Sequence, residues 1–240
     1  MKRILKILIP LVLILCAGAY AFIPGVQSLS QQPFVSSKST VGGYASMSKN
    51  EAMHIRQIIA ADNAKARTIM WQSEAAENGA FVEYRVKGKE QISSAPATNE
   101  PFTDDKITTY LHAVTLSNLT PDTKYEYRLG YGDKRSEWQD FATAGQGSFK
   151  AIIFPDSQSN DYRGWEKLAQ AAGKANQDAA FFVNMGDLVD NGEDHTQWRA
   201  WFDSLRGIID KIPVAPLLGN HETYDLNWKV RMPTAYLNLF

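Results

Sequence analysis

The sequence predicts a two-part fold, an antiparallel β-sandwich followed by an α/β unit built on a parallel sheet. Three observations carry this. From residue 51 to residue 146 short apolar stretches alternate with period two between turn signals. From residue 147 the period changes, and continuous apolar strands are separated by segments of helical spacing. Each of those later strands runs into a polar cluster, the last of them "GNHE" at residues 219–222.

The chain opens with "MKRILKILIPLVLILCAGAYAF". Lys2, Arg3 and Lys6 make a positive start, Ile7 to Leu15 a short apolar core, and Ala19-Tyr20-Ala21 a small-x-small site that would leave Phe22 as the first mature residue. Residues 1–21 therefore read as a signal peptide. The other reading is an uncleaved anchor, since Ile4 to Phe22 nearly matches a bilayer core of roughly 30 Å. Both place the working protein outside the cytoplasm, either secreted or in the cell envelope or periplasm. With cleavage, no membrane span remains. Cys16 is the one cysteine, which excludes disulfides and thiolate metal sites from the rest of the chain. Residues 22–50, rich in Ser, Gln and Gly without an apolar period, read as a linker. A formal net charge of −1 gives no reason to expect nucleic acid as a partner.

In the first unit, residues 51–146, "HIRQIIAA" and "ARTIMWQS" bracket the Asp62-Asn63 turn, and "FVEYRV" follows Asn78-Gly79. Leu111, Ala113 and Thr115 alternate before "SNLTPDT", and Tyr125, Tyr127 and Leu129 after it. "EWQDFATA" completes the series. In the second unit, residues 147–240, Phe149 to Phe154 is a strand, and Trp165, Leu168, Ala169, Ala172 and Ala175 fall on one helical face. Ala180 to Val183 is the next strand, Trp198 to Ile209 the second helix, and "VAPLL" the third strand. Asp194 is placed to cap that second helix and His195 to open it. Such a β-α-β-α-β order makes a parallel sheet, whose strand ends gather at one edge where ligands bind. That edge collects Asp156, Gly186-Asp187 and Gly219-Asn220-His221-Glu222.

Two resemblances follow from these residues. Trp71 with "LTPDTKYEYRL" resembles a fibronectin type III module, which implies that Leu119 is buried, Pro121 fixes a turn and Tyr125 caps the corner through its hydroxyl. The order Asp156, "GDLVDNG" and "GNHE" resembles the calcineurin-like metallophosphoesterases. With the preceding module, the resemblance is to enzymes of the purple-acid-phosphatase type, so the second unit would be the N-terminal half of an α/β/β/α metallophosphoesterase domain. That resemblance implies a pair of divalent cations (Fe, Mn or Zn) about 3.5–4 Å apart. It assigns Asp156 to one, Asn220 to the other and Asp187 to the bridge, with Gly186 letting the backbone turn. His221 would face the phosphate as the catalytic imidazole. Gln158, Asp190 and Glu222 are candidates for further ligation or for orienting the ligands. The implied chemistry is attack of a metal-bound hydroxide on a small phosphate monoester. The alternatives are a phosphodiesterase or nucleotidase on the same metals, or an inactive truncated protein used for binding.

The pattern is incomplete. Asp190 stands where purple acid phosphatases have the tyrosine that binds ferric iron, and Gln158 stands where many relatives have a histidine. A site that neither selects ferric iron nor colours is expected. The only histidines are His54, His112, His195 and His221, so the family's later ligand motif, Gly-His-x-His, does not occur. The sequence reads as a fragment of a longer protein, inactive by itself, with one apolar face of the parallel sheet uncovered and no closing element.

Overall fold

The structure, a computed structural model, describes residues 44–49, 51–159 and 161–240. The signal segment 1–21 and most of the linker 22–50 lie outside these. Two sheets organise the described residues. One joins β1 (Ala45–Ser46), β9 (Lys134–Arg135), β8 (Lys124–Tyr131), β4 (Phe81–Val86) and β5 (Ser93–Pro96) in that order, with β10 (Gln139–Ala142) also on β8. β1 falls inside the stretch read as linker. It is held there by parallel pairing of Ala45 and Ser46 with Lys134 and Arg135, and by Tyr44 lying under the Arg128 and Arg135 guanidiniums.

The other sheet has seven strands: β11 (Ala151–Phe154), β12 (Phe181–Asn184), β13 (Pro213–Pro216), β2 (Met53–Ile58), β3 (Arg67–Ser73), β7 (Ile107–Leu116) and β6 (Thr98–Asp104). The first three run parallel as the sequence predicts, but the sheet does not stop there. β13 pairs in parallel with β2, Pro213 opposite Gln57 and Val214 opposite Ile58, so one sheet runs through both units. Sequence reasoning kept the two sheets separate because periodicity shows faces, not edges. The signal was the polar pair in "HIRQII". Arg56 and Gln57 are both 0% exposed. Gln57 donates its side-chain amide to the carbonyls of Asp140 and Asp210, and Arg56 Nε donates to the Leu239 carbonyl at 2.7 Å. Buried polar groups favour pairing, and the bonds to Leu239 and Asp210 cross from the first unit to the second, while that to Asp140 stays within the first.

The sandwich core is built on Ile69, Trp71, Val82, Leu116, Tyr127 and Leu129. On β7 the inward face is His112, Val114 and Leu116, not Leu111, Ala113 and Thr115. Leu111 turns to the opposite side and packs, with Phe102, into the core of the second unit. His112 stacks on Trp71 with ring centres 4.9 Å apart, and burial lowers its pKa to about 4. Leu119 is buried, Pro121 sits in a turn, and Tyr125 Oη accepts the Thr120 N–H at 2.9 Å.

In the second unit α1 (Arg163–Ala175) and α2 (His195–Ser204) cover one face of β11–β13 through Trp165, Ala169, Trp198, Trp201 and Phe202. Asp194 caps α2, accepting the N–H groups of Thr196 and Gln197. The opposite face is open: Phe149, Ile153 and Met185 are each more than half exposed. The sequence placed no closing element, yet α3 (Thr234–Leu239) packs Ala235 and Leu239 into the second core, and Tyr236 Oη donates to the Pro216 carbonyl. No helix among the described residues is long and apolar enough to cross a membrane.

Candidate active site at the strand tips

The C-terminal tips of β11, β12 and β13 feed three loops, and backbone contacts lock these loops together. Two glycines make the approach close enough. Gly186 has φ 104°, and a Cβ there would meet Gly219 Cα and N at 3.1 Å. At Gly219 a Cβ would lie 2.1 Å from Asp187 Oδ1. The "GD" and "GN" of the two motifs are thus one contact seen from both sides. Asp187 itself occupies the left-handed region at φ 47°, a conformation that costs energy outside glycine and is tolerated best by Asp and Asn.

Glu222 is the buried clamp. It is 0% exposed, and its carboxylate accepts four backbone N–H groups. Oε1 takes Leu188 and Val189 at 2.7 and 3.2 Å, and Oε2 takes Gly219 and Asp187 at 2.7 and 3.0 Å. Burial raises its pKa, and the N–H donors of Gly219, Val189 and Leu188 oppose that rise. The side chain is fully committed to the backbone of the two loops, so it orients the site.

The first loop is tied in from below. The Asp187 carbonyl accepts the N–H groups of both Ser157 and Gln158 at 3.0 Å. Beneath it Asn184, 0% exposed, donates to the Pro155 carbonyl and accepts from Ser157 Oγ at 2.7 Å. Trp201 Nε1 donates to Ser157 Oγ at 3.0 Å, linking α2 to the same knot. Sequence reasoning missed this support. An Asn ending the apolar run "FFVN" was its only signal.

The candidate ligands stand on this frame. Asp156 is exposed, and its carboxylate makes no hydrogen bond or ion pair with any described residue. Asp187 Oδ1 accepts the His221 N–H at 3.0 Å. Asn220 is exposed and uses its side-chain amide nitrogen on Tyr224 Oη at 3.3 Å, leaving its side-chain oxygen Oδ1 unengaged. Gln158 Oε1 is buried without a hydrogen-bond partner. An orphaned buried amide oxygen, an unengaged carboxylate and an unengaged side-chain amide oxygen are donor types that a hard or borderline divalent cation takes. Among the described residues no group of three or more His, Cys, Asp and Glu side chains is arranged to hold a metal ion. The oxygens at the strand tips could supply only part of a coordination shell.

His221 opens a short 3₁₀ turn, His221–Thr223. Its Nδ1 lies 2.7 Å from the Asp190 carbonyl, which can only accept, so Nδ1 carries the proton and Nε2 is the free ring nitrogen. The Asp190 carboxylate sits 3.5 Å from the same Nδ1. Asp190, at the tyrosine position, thus works on the imidazole. Its own N–H, with that of Asn191, is held by Gln197 Oε1. His195 is not part of this site; with His54 and Asp104 it lines a small cavity elsewhere.

A parallel sheet thus presents Asp, Gly-Asp and Gly-Asn-His-Glu at adjoining strand tips, behind a β-sandwich. Each of the two units matches a family of its own. Residues 53–143 match the family described as purple acid phosphatase, N-terminal domain, and residues 149–239 match the calcineurin-like phosphoesterase family. These families are hydrolases that use a dinuclear metal centre. Among solved structures, purple acid phosphatase PPD1 from yellow lupin (Lupinus luteus) seeds aligns with TM-score 0.63 and 22% identity, covering 72% of this chain and 36% of the lupin chain. PhoD aligns at TM-score 0.48 and 11% identity, covering 75% of this chain and 41% of its own. The chain thus spans little more than a third of the lupin enzyme. No curated protein matches it in sequence.

Proposed function

We propose that the protein is a phosphoesterase acting on phosphate monoesters outside the cytoplasm. Asp156, Asp187 and Asn220, with Gln158 Oε1, would hold the cations. When bound, these supply charge neutralisation at the phosphoryl oxygens and an ionised water. The observation that carries the reading is the imidazole of His221. Its Nδ1 is fixed on the Asp190 carbonyl at 2.7 Å, beside the loop that carries Asp187, so only Nε2 is available to an incoming ester. In its doubly protonated form the imidazole keeps Nδ1–H on the Asp190 carbonyl and carries a second proton on Nε2, which can pass to the leaving oxygen and return the ring to its neutral form. Asp190 and Gln197 hold the ring's orientation, and Glu222 fixes the loops on which Asp187 and Asn220 stand.

The extracytoplasmic placement rests on the n-region and h-region of residues 1–21, and a mature N-terminus at Phe22 in protein recovered from cells would support it. The activity is tested with p-nitrophenyl phosphate and bis(p-nitrophenyl) phosphate on the full-length product supplied with Mn²⁺ or Zn²⁺. Faster turnover of the monoester, lost in Asp187→Asn, supports the proposal. Preference for the diester would replace it by a phosphodiesterase, and no turnover of either would leave only the binding-protein reading.

A further inference from the structure

The loop after "GNHE" is more elaborate than a connection requires. Tyr224 and Val230 form an antiparallel bridge, and the turn between them is closed by Asp225. The Asp225 carboxylate accepts the N–H groups of Asn227 and Lys229 at 2.8 Å, and its carbonyl accepts that of Trp228 at 2.9 Å. Asn191 Nδ2 and Glu193 Oε2 bind the same turn from the β12 loop, at the Asp225 carbonyl and the Leu226 N–H. Leu226, Trp228 and Val230 are exposed on this turn, and Trp228 is the aromatic one. It is 56% exposed and held at φ 61°, a backbone region that bulky residues avoid.

Its indole lies against the catalytic imidazole. Ring centres of Trp228 and His221 are 6.3 Å apart at 89°, those of Tyr224 and His221 5.5 Å apart at 83°, and those of Tyr224 and Trp228 5.8 Å apart. Tyr224 Oη also receives the Asn220 amide. Two aromatic rings thus stand edge-on to the His221 imidazole.

We propose that Tyr224 and Trp228 form a leaving-group subsite that takes a planar aromatic ring carried by the phosphoester. The inference rests on the phosphoesterase reading and assigns its substrate class. Base or aryl stacking on an aromatic side chain typically strengthens binding by roughly five-fold to over a hundred-fold. Such a ring comes either from an aryl ester or from a nucleotide, and the test separates the two.

The test uses the whole chain with Mn²⁺ or Zn²⁺ and compares affinities for phenylphosphonate, adenosine 5′-thiophosphate and methylphosphonate. Phenylphosphonate is expected to bind about ten-fold more tightly than methylphosphonate. In Trp228→Ala that ratio falls towards one, and in Trp228→Phe most of it returns. A matching gain for adenosine 5′-thiophosphate assigns the subsite to a nucleobase; a gain for phenylphosphonate alone assigns it to an aryl group on the ester oxygen. A second readout needs no metal: phenol or adenosine should shift the Trp228 indole N–H resonance, identified by its loss in Trp228→Phe. A phenyl-to-methyl ratio unchanged by Trp228→Ala overturns the proposal. So does an indole resonance that neither ring moves, or a change of oligomeric state in the variant, which would make Trp228 a contact between chains. If no phosphonate binds but the rings still shift the indole, the phosphoesterase reading fails while the ring site stands.

Discussion

Replacing Glu222 by Gln should loosen the two central loops together. The four N–H groups on its carboxylate fall into two pairs, Leu188 and Val189 on Oε1, Asp187 and Gly219 on Oε2. A glutamine fills the same volume but offers one acceptor oxygen. Whichever way the amide turns, one pair of buried donors faces an NH₂ group. Each unsatisfied donor costs about 1–3 kcal/mol, so the two together cost about 2–6 kcal/mol. The exposed Glu166→Gln on α1 serves as control and should change stability by less than about 0.5 kcal/mol. Urea unfolding gives the global figure. Hydrogen exchange at the Leu188 and Val189 amides gives the local one, and protection there should fall further than in the β3 strand. A variant as stable as the control, with those amides still protected, would refute the clamp.

Three other perturbations follow from single contacts. Gly219→Ala puts a methyl group within 2.1 Å of Asp187 Oδ1, so it should weaken divalent-cation binding as well as stability, measured by calorimetric titration and thermal unfolding. Tyr125→Phe removes the 2.9 Å bond from the Thr120 N–H and should lower stability by about 1 kcal/mol in urea unfolding, without disturbing the strand tips. Asp104 is 6% exposed, and burial raises its pKa to about 7 against the opposing pull of Arg231. The folded state holds that proton more tightly than the unfolded chain, so this group's contribution favours the fold at low pH and declines as pH rises from about 4 to 7. Asp104→Asn should remove that component of the slope, seen as a flatter dependence of unfolding free energy on pH.

Much of this was legible in the sequence because it lies in local pattern. The β-to-α/β switch showed as a change of apolar period, the α2 cap as Asp194, and the corner as the run from Leu119 to Tyr125. The order of motifs singled out Asp156, Asp187, Asn220 and His221. What stayed hidden depends on long-range pairing. Parallel contact of β13 with β2 involves residues some 155 positions apart in sequence, and only the polar Arg56-Gln57 pair hinted that this strand was buried on both sides. Likewise nothing local distinguishes a Glu that accepts four backbone N–H groups from one that touches a cation. Nor does the local pattern say that Asp190 serves the His221 imidazole. The same holds for Trp228, whose place against His221 follows from a turn tied to the neighbouring loop.

Paramagnetic broadening by Mn²⁺ tests most directly whether three strand tips form one cation site. As Mn²⁺ is added at low stoichiometry, amide signals of residues 156–158, 186–190 and 219–222 should fade together, while those of Ala151, Phe181 and Pro213's neighbour Val214, nearer the other strand ends, persist. Asp187→Asn should abolish the effect more completely than Gln158→Ala. Broadening that appears at one loop alone, or first at acidic side chains elsewhere on the surface, would contradict a shared site.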